Sequence, residues 1–168
     1  MSWIKIKNAL LTAAQQHPNI NSFGTGNALA IGTDNTINLR APVKNRILYP
    51  LLFCDPTTYT ASRGALDLNV QIYVMDRVEN VQNMNAIVSG TAFAGWQSVE
   101  DQVLSDMLLV TSDLLAKLTD DPNVTYTLKA GSSGQRFVET RDDIVAGWAT
   151  SLTFTLPFGM DVCSVPSL

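Results

Sequence analysis

The residues best equipped for chemistry in this chain are the thiols of Cys54 and Cys163 and the imidazole of His17, its only histidine. A thiol attacks when a base sits beside it, and nothing local joins these three positions. His17 ends a helical stretch, where the helix C-terminus favours its cationic form. The cysteines show neither metal-ligand spacing nor a disulfide framework, and they read as free, buried thiols. Asp142 and Asp143 beside Arg141 suggest an acid pair or a metal site. Adjacent side chains diverge on a strand or turn, however, so a solvated turn or a structural salt bridge is the better reading. Ser132-Ser133 lacks the strand-to-helix elbow of a nucleophilic serine. Gly24-Thr25-Gly26 is not a dinucleotide fingerprint, because Leu29 stands where the third glycine belongs. Lys129–Gln135 has glycines but no phosphate-loop lysine and no following helix. The sequence therefore reads as that of a non-enzyme, with no metal and no cofactor.

Composition narrows the remaining classes. A chain of 168 residues is most simply one domain, here taken as residues 1–168. Its apolar fraction is ordinary at 46%, but only 15% of residues are charged, against the usual quarter or so. Asn, Thr, Ser and Gln supply the polarity instead, and neutral polar surface is cheaper to desolvate at an interface. A net charge of −4 argues against sequence-specific nucleic-acid binding, which needs a basic face. No apolar run approaches the length of a membrane span, and MSWIKIKNALL lacks a cleavage site for secretion. The expectation is a protein made and used in soluble form.

The elements that would position these residues follow from periodicity. Trp3, Ile6, Leu10 and Ala13 predict a first helix, with Ser2 as N-cap and His17-Pro18 as its end. A short strand is expected near Ala28–Ile31 and a second over Arg46–Cys54, the latter buried on both faces, with Pro50 marking an edge or bulge. Asp55-Pro56 and Ser62-Arg63-Gly64 read as the brackets of a loop. Next comes the strongest pattern in the chain, ALDLNVQIYVM over Ala65–Met75. It sends Leu66, Leu68, Val70, Ile72 and Val74 to one face, and Asp67, Asn69, Gln71, Tyr73 and Met75 to the other. A second alternating run, Trp148 to Leu156, repeats it.

Between them, Ser98 and Asp101 frame the start of a long amphipathic helix. Val103, Met107, Val110 and Leu114 make its core stripe, and Leu104, Leu108, Leu115 and Leu118 broaden it. Val124–Leu128 and Arg136–Glu139 read as strands, separated by the Lys129–Gln135 loop. The fold class is α+β: a mainly antiparallel, twisted sheet packed by an N-terminal helix and one long amphipathic helix. Residues 77–97 lack a period but carry Ile87, Val88, Phe93 and Trp96. They suggest an arm that packs on a neighbouring subunit, with a loop folded over its own sheet as the alternative. The tail over 157–168, with Phe158, Met160 and Val162, is expected to be extended and pinned to the surface or to a partner.

The second half carries a resemblance. A strand ending in YVMD leads to the helix VEDQVLSDMLLVTSDLLAKL, then to RDDIVAGWATSLTFTLPF and the closing VCSVP. Asp142, Ala146-Gly147-Trp148 and the Cys163 to Pro166 ending are its most specific words, and it spans roughly Leu48 to Pro166. These words resemble small virion proteins of tailed bacteriophages, above all the connector and tail-completion proteins of crAss-like phages. The resemblance implies a tail-terminator-like subunit that forms a ring in the neck or at the head-proximal end of the tail. It implies contacts with portal, connector, tail-tube or hub proteins, and genomic DNA passing through the lumen. The alternative is a monomeric soluble module that binds a ligand or peptide.

Overall fold

The computed structural model describes residues 3–26, 48–78, 99–120, 125–129, 131–140 and 144–158. Helix α1 spans Trp3–Gln16 and buries Ile6, Leu10, Ala13 and Ala14, a single stripe at helical spacing. It closes as predicted: His17 N–H donates to the Ala14 carbonyl at 3.1 Å, just before Pro18. Strand β1 (Ser22–Thr25) follows and pairs in parallel with β2 (Leu51–Ser62). The other pairings are antiparallel. Strand β3 (Gly64–Arg77) lies between β2 and β6 (Ile144–Phe158), and β6 carries both β4 (Thr127–Leu128) and β5 (Ser133–Thr140) on its far side. Helix α2 (Val99–Asp120) crosses β3 and β6 on the face that α1 also covers. The class is α+β, with a mostly antiparallel sheet, as the periodicity predicts.

The facing of the two alternating strands also holds. The rows Cys54–Ile72–Thr150 and Pro56–Val70–Leu152 run across β2, β3 and β6 beneath the helices. Val70, Ile72, Val74, Leu152, Phe154 and Leu156 are all essentially inaccessible. Tyr126 meets Phe154 edge-on at 5.0 Å between ring centres. The Trp148 indole N–H donates to the Leu104 carbonyl at 2.8 Å, tying α2 to β6. Glu100 is buried at the start of α2, 3.6 Å from the Arg136 guanidinium. An acid there also complements the helix N-terminus.

Several expectations need correction. The Asp55–Gly64 loop is strand: β2 runs on to Ser62 and turns back through Arg63-Gly64, with Gly64 at φ +87°. Thr57, Thr58, Tyr59 and Thr60 favour strand, and Pro56 is accommodated by a register shift between Pro56 and Thr58. Pro50 stands just ahead of β2 after a cis peptide bond, and Leu48 is exposed instead of buried. Burial on both faces holds only for the start of β2, where Leu51 and Leu52 point opposite ways and both are covered. The loop read into Lys129–Gln135 ends early, since β5 begins at Ser133. On α2, Leu108 is half exposed and Val103 only partly covered, while Thr111 is buried, its hydroxyl donating to the Met107 carbonyl. Met75, expected on a polar face, is 2% exposed. The strand expected at Ala28–Ile31 lies outside the described residues.

Candidate functional site

The sheet face turned away from the helices has two unlike halves. Across the rows Leu51–Met75–Gly147 and Phe53–Tyr73–Ala149, the side chains are apolar. Leu51, Met75 and Val145 form a second small core, with Tyr49, Phe53, Tyr73 and Phe137 packed against it. Tyr73 meets Phe137 edge-on at 5.7 Å. Toward the hairpin turn, the rows Thr58–Asn69–Thr153 and Thr60–Asp67–Thr155 are polar. Here the side chains satisfy one another. Thr153 donates to Asn69 Oδ1, and Asn69 Nδ2 donates to Thr58 Oγ1, both at 2.8 Å. Thr155 Oγ1 donates to Asp67 Oδ1, and Lys129 Nζ to Asp67 Oδ2, both at 2.6 Å.

The hydrogen bond from Lys129, then that from Thr155, hold the Asp67 carboxyl below its ordinary value of 3.8. The folded state therefore binds the Asp67 proton less tightly than the unfolded chain does. The stability this group contributes is present above pH 3.8 and is lost as pH falls through the lower folded value. Asp67→Asn should flatten the acid side of a plot of melting temperature against pH, by lowering the melting temperature above pH 3.8 and leaving it little changed in strong acid. An unaltered acid limb would remove Asp67 from the set of groups that govern acid unfolding.

Beyond this ladder the hairpin becomes a limb. Every described side chain from Thr57 to Gly64 is exposed. Strand β1 reaches only Cys54 on the outer side of β2, and no other described strand pairs with that side. Among the described residues, the second half of β2 is thus open on both faces and along its outer edge. Natural sheets blunt such edges with lysine, proline or inward charge. TTYTAS, Thr57–Ser62, carries none of these, and Tyr59 is 71% exposed.

A second feature lies where α1 ends against the middle of α2. Pro18, Asn19, Asn21, Pro50, Asp76, Asp106, Met107, Leu109 and Val110 line an open groove of about 440 Å³. Its exposed lining is more polar than apolar, and Asp76 and Asp106 are among the lining residues.

Of the residues first considered for chemistry, Cys54 and His17 lie among the described residues. Cys54 lies under the helices with no exposed surface, and burial pushes its thiol far above the ordinary value. His17 is buried too: its Nδ1 accepts the Asn19 N–H, and its Nε2 lies 3.6 Å from Asp113. Asp142, Asp143 and Cys163 are outside the described residues. So are the interface residues expected at Ile87, Val88, Phe93, Trp96, Met160 and Val162. Phe158 is the last residue of β6, its backbone paired with Gly64 beside the hairpin turn. The segment expected to form an arm starts inside the sheet: Arg77 ends β3, and Val78 is buried, its N–H donating to the Ile144 carbonyl at 2.8 Å. Neither the limb nor the groove was foreseen from sequence. The Thr-rich, charge-free run after Pro56 was the available signal for the limb. The groove joins residues too far apart in sequence to have left one. No described helix is long and apolar enough to cross a membrane. Comparison with protein-family models and with curated proteins finds no match.

Proposed function

We propose that this protein is a structural subunit that assembles with copies of itself into a ring, in the manner of a phage neck or tail-terminator protein. The observation that carries this reading is the limb, a β-strand that among the described residues is exposed on both faces and open along one edge, uncharged from Thr57 to Ser62. Free backbone N–H and C=O groups along such an edge accept an added strand. A neutral surface loses little on desolvation, and a chain with only 15% charged residues offers much such surface. Within a virion the partners would be further copies and the adjoining portal, connector, tail-tube or hub proteins, with DNA passing through the lumen without sequence-specific contact.

The test is light scattering coupled to size exclusion over a wide concentration range, with electron microscopy of the largest species. A defined ring is expected from the unaltered protein. Tyr59→Lys with Ala61→Lys should leave the circular dichroism spectrum and melting temperature unchanged, because both residues are exposed. The same change should weaken assembly about ten-fold or more, as edge lysines oppose strand addition. A protein that stays monomeric throughout the range, and on presentation of isolated phage tails, would overturn the proposal. That outcome would favour a monomeric ligand- or peptide-binding module.

A further inference from the structure

We infer that the groove between the end of α1 and the middle of α2 receives the first turn of α1 from a second copy, with Lys5 directed at Asp106 and Ile4 against Leu109. This rests on the ring reading and specifies one of its contacts. Leu109 supplies open apolar surface beside the groove, and Asp106 supplies negative charge. The occupant such a lining favours is a cation on an apolar stem. Lysine meets that description, because its methylene chain packs on apolar surface while its ammonium reaches the Asp106 carboxylate. The volume, about 440 Å³, lies within the range that holds a small ligand, hence one or two side chains.

The two helices carry opposite charge. Helix α1 has Lys5 and Lys7 and no acidic residue, whereas α2 has Glu100, Asp101, Asp106, Asp113 and Asp120 against Lys117 alone. Asp106, Asp113 and Asp120 recur every seventh residue and so line one stripe, with Leu109 between the first two. Large apolar side chains are exposed on both: Ile4 at 59% on α1, and Leu109 at 66% beside the groove. Each surface thus presents an apolar group next to a charge, and the charges are opposite.

The same molecule cannot make this contact. Gln16 meets Lys117, His17 meets Asp113, and Pro18 and Asn19 line the groove with Asp106 and Leu109. The chain therefore leaves α1 running antiparallel along α2, with the groove at the end of α1. Ile4 lies at the other end, about 18 Å of helix rise from Gln16. A second copy brings it there. Because the two patches differ, the contact is head-to-tail and leaves one of each patch free, an arrangement that closes into a ring when the rotation between successive copies closes.

Charge reversal tests it, with assembly read by light scattering at low salt. Asp106→Lys and Lys5→Asp should each weaken assembly about ten-fold without changing the melting temperature. Mixing the two variants should restore it, since every groove then meets a first turn of opposite charge. Leu109→Ser should weaken assembly and should not be rescued by mixing with either variant. If the unaltered protein forms rings that neither reversal weakens, or if mixing restores nothing, this contact is wrong while the ring reading stands. If the unaltered protein forms no oligomer, in solution or on isolated phage tails, both fall.

Discussion

Val70→Asp is expected to leave the protein unfolded at neutral pH. Val70 is 1% exposed, in the row between Pro56 and Leu152, under the helices. A carboxylate there meets no donor along that row. Burying an unpaired charge costs several kcal/mol, against a total stability of about 5–15 kcal/mol for a domain. Burial would raise the pKa of the introduced acid in the folded state above its unfolded value of about 3.9. The penalty is therefore smallest below that value and grows as pH rises through the folded one, so the variant should be most stable in mild acid. Gln71→Asp, one residue along on the opposite face, should cost under about 1 kcal/mol if position rather than chemistry governs the result. Urea unfolding followed by near-ultraviolet circular dichroism measures both. A cooperative, native-like Val70→Asp protein at pH 7 would mean that β3 faces the other way.

Alternation in Ala65–Met75 and Trp148–Leu156 made the central strands legible, because only one face of each could be buried under helices. The helical stripes were legible for the same reason. What failed was reading residues as words. Asp55-Pro56 looks like a turn, yet an edge strand has no need of the proline N–H on its outer side, and a bulge absorbs the shift in register. Leucines near one another on α2 looked like one broad stripe. Leu108 falls on its solvent side, because the stripe that meets the sheet passes through Leu104, Met107, Val110, Thr111, Leu114 and Leu118. Met75 sits at a polar-face position of β3, but Leu51 and Val145 converge on it there, a tertiary fact that no single strand reveals. The groove likewise exists only once α1, the segment before β2, the end of β3 and α2 have met.

Gly147→Ala should be nearly as damaging as Val70→Asp, for a reason that involves no charge. Gly147 lies opposite Met75 in the β3–β6 ladder. A Cβ at this position would collide with the Val74 carbonyl oxygen and stand 2.8 Å from the Met75 Cα. Side chains can rotate away from an added methyl, but backbone at the centre of a sheet can yield only by shifting strands. Overpacking typically costs about 1–3 kcal/mol and occasionally more. Because the atoms it meets are all β3 backbone, about 3 kcal/mol or beyond is expected here. For a chain of this size that lowers the melting temperature by about 6–12 °C. Gly134→Ala on β5 is the control: its nearest neighbour would be the Thr150 hydroxyl at 3.2 Å, a side-chain atom that a small adjustment relieves. Loss should be confined to Gly147, and it should appear as reduced β3–β6 amide protection in hydrogen exchange before α1 is affected. Equal melting temperatures for the two variants would mean that the strands do not approach as closely as their register requires. The second core of Leu51, Met75 and Val145 would then lose its geometric basis, since Met75 is brought into it by this close passage over Gly147.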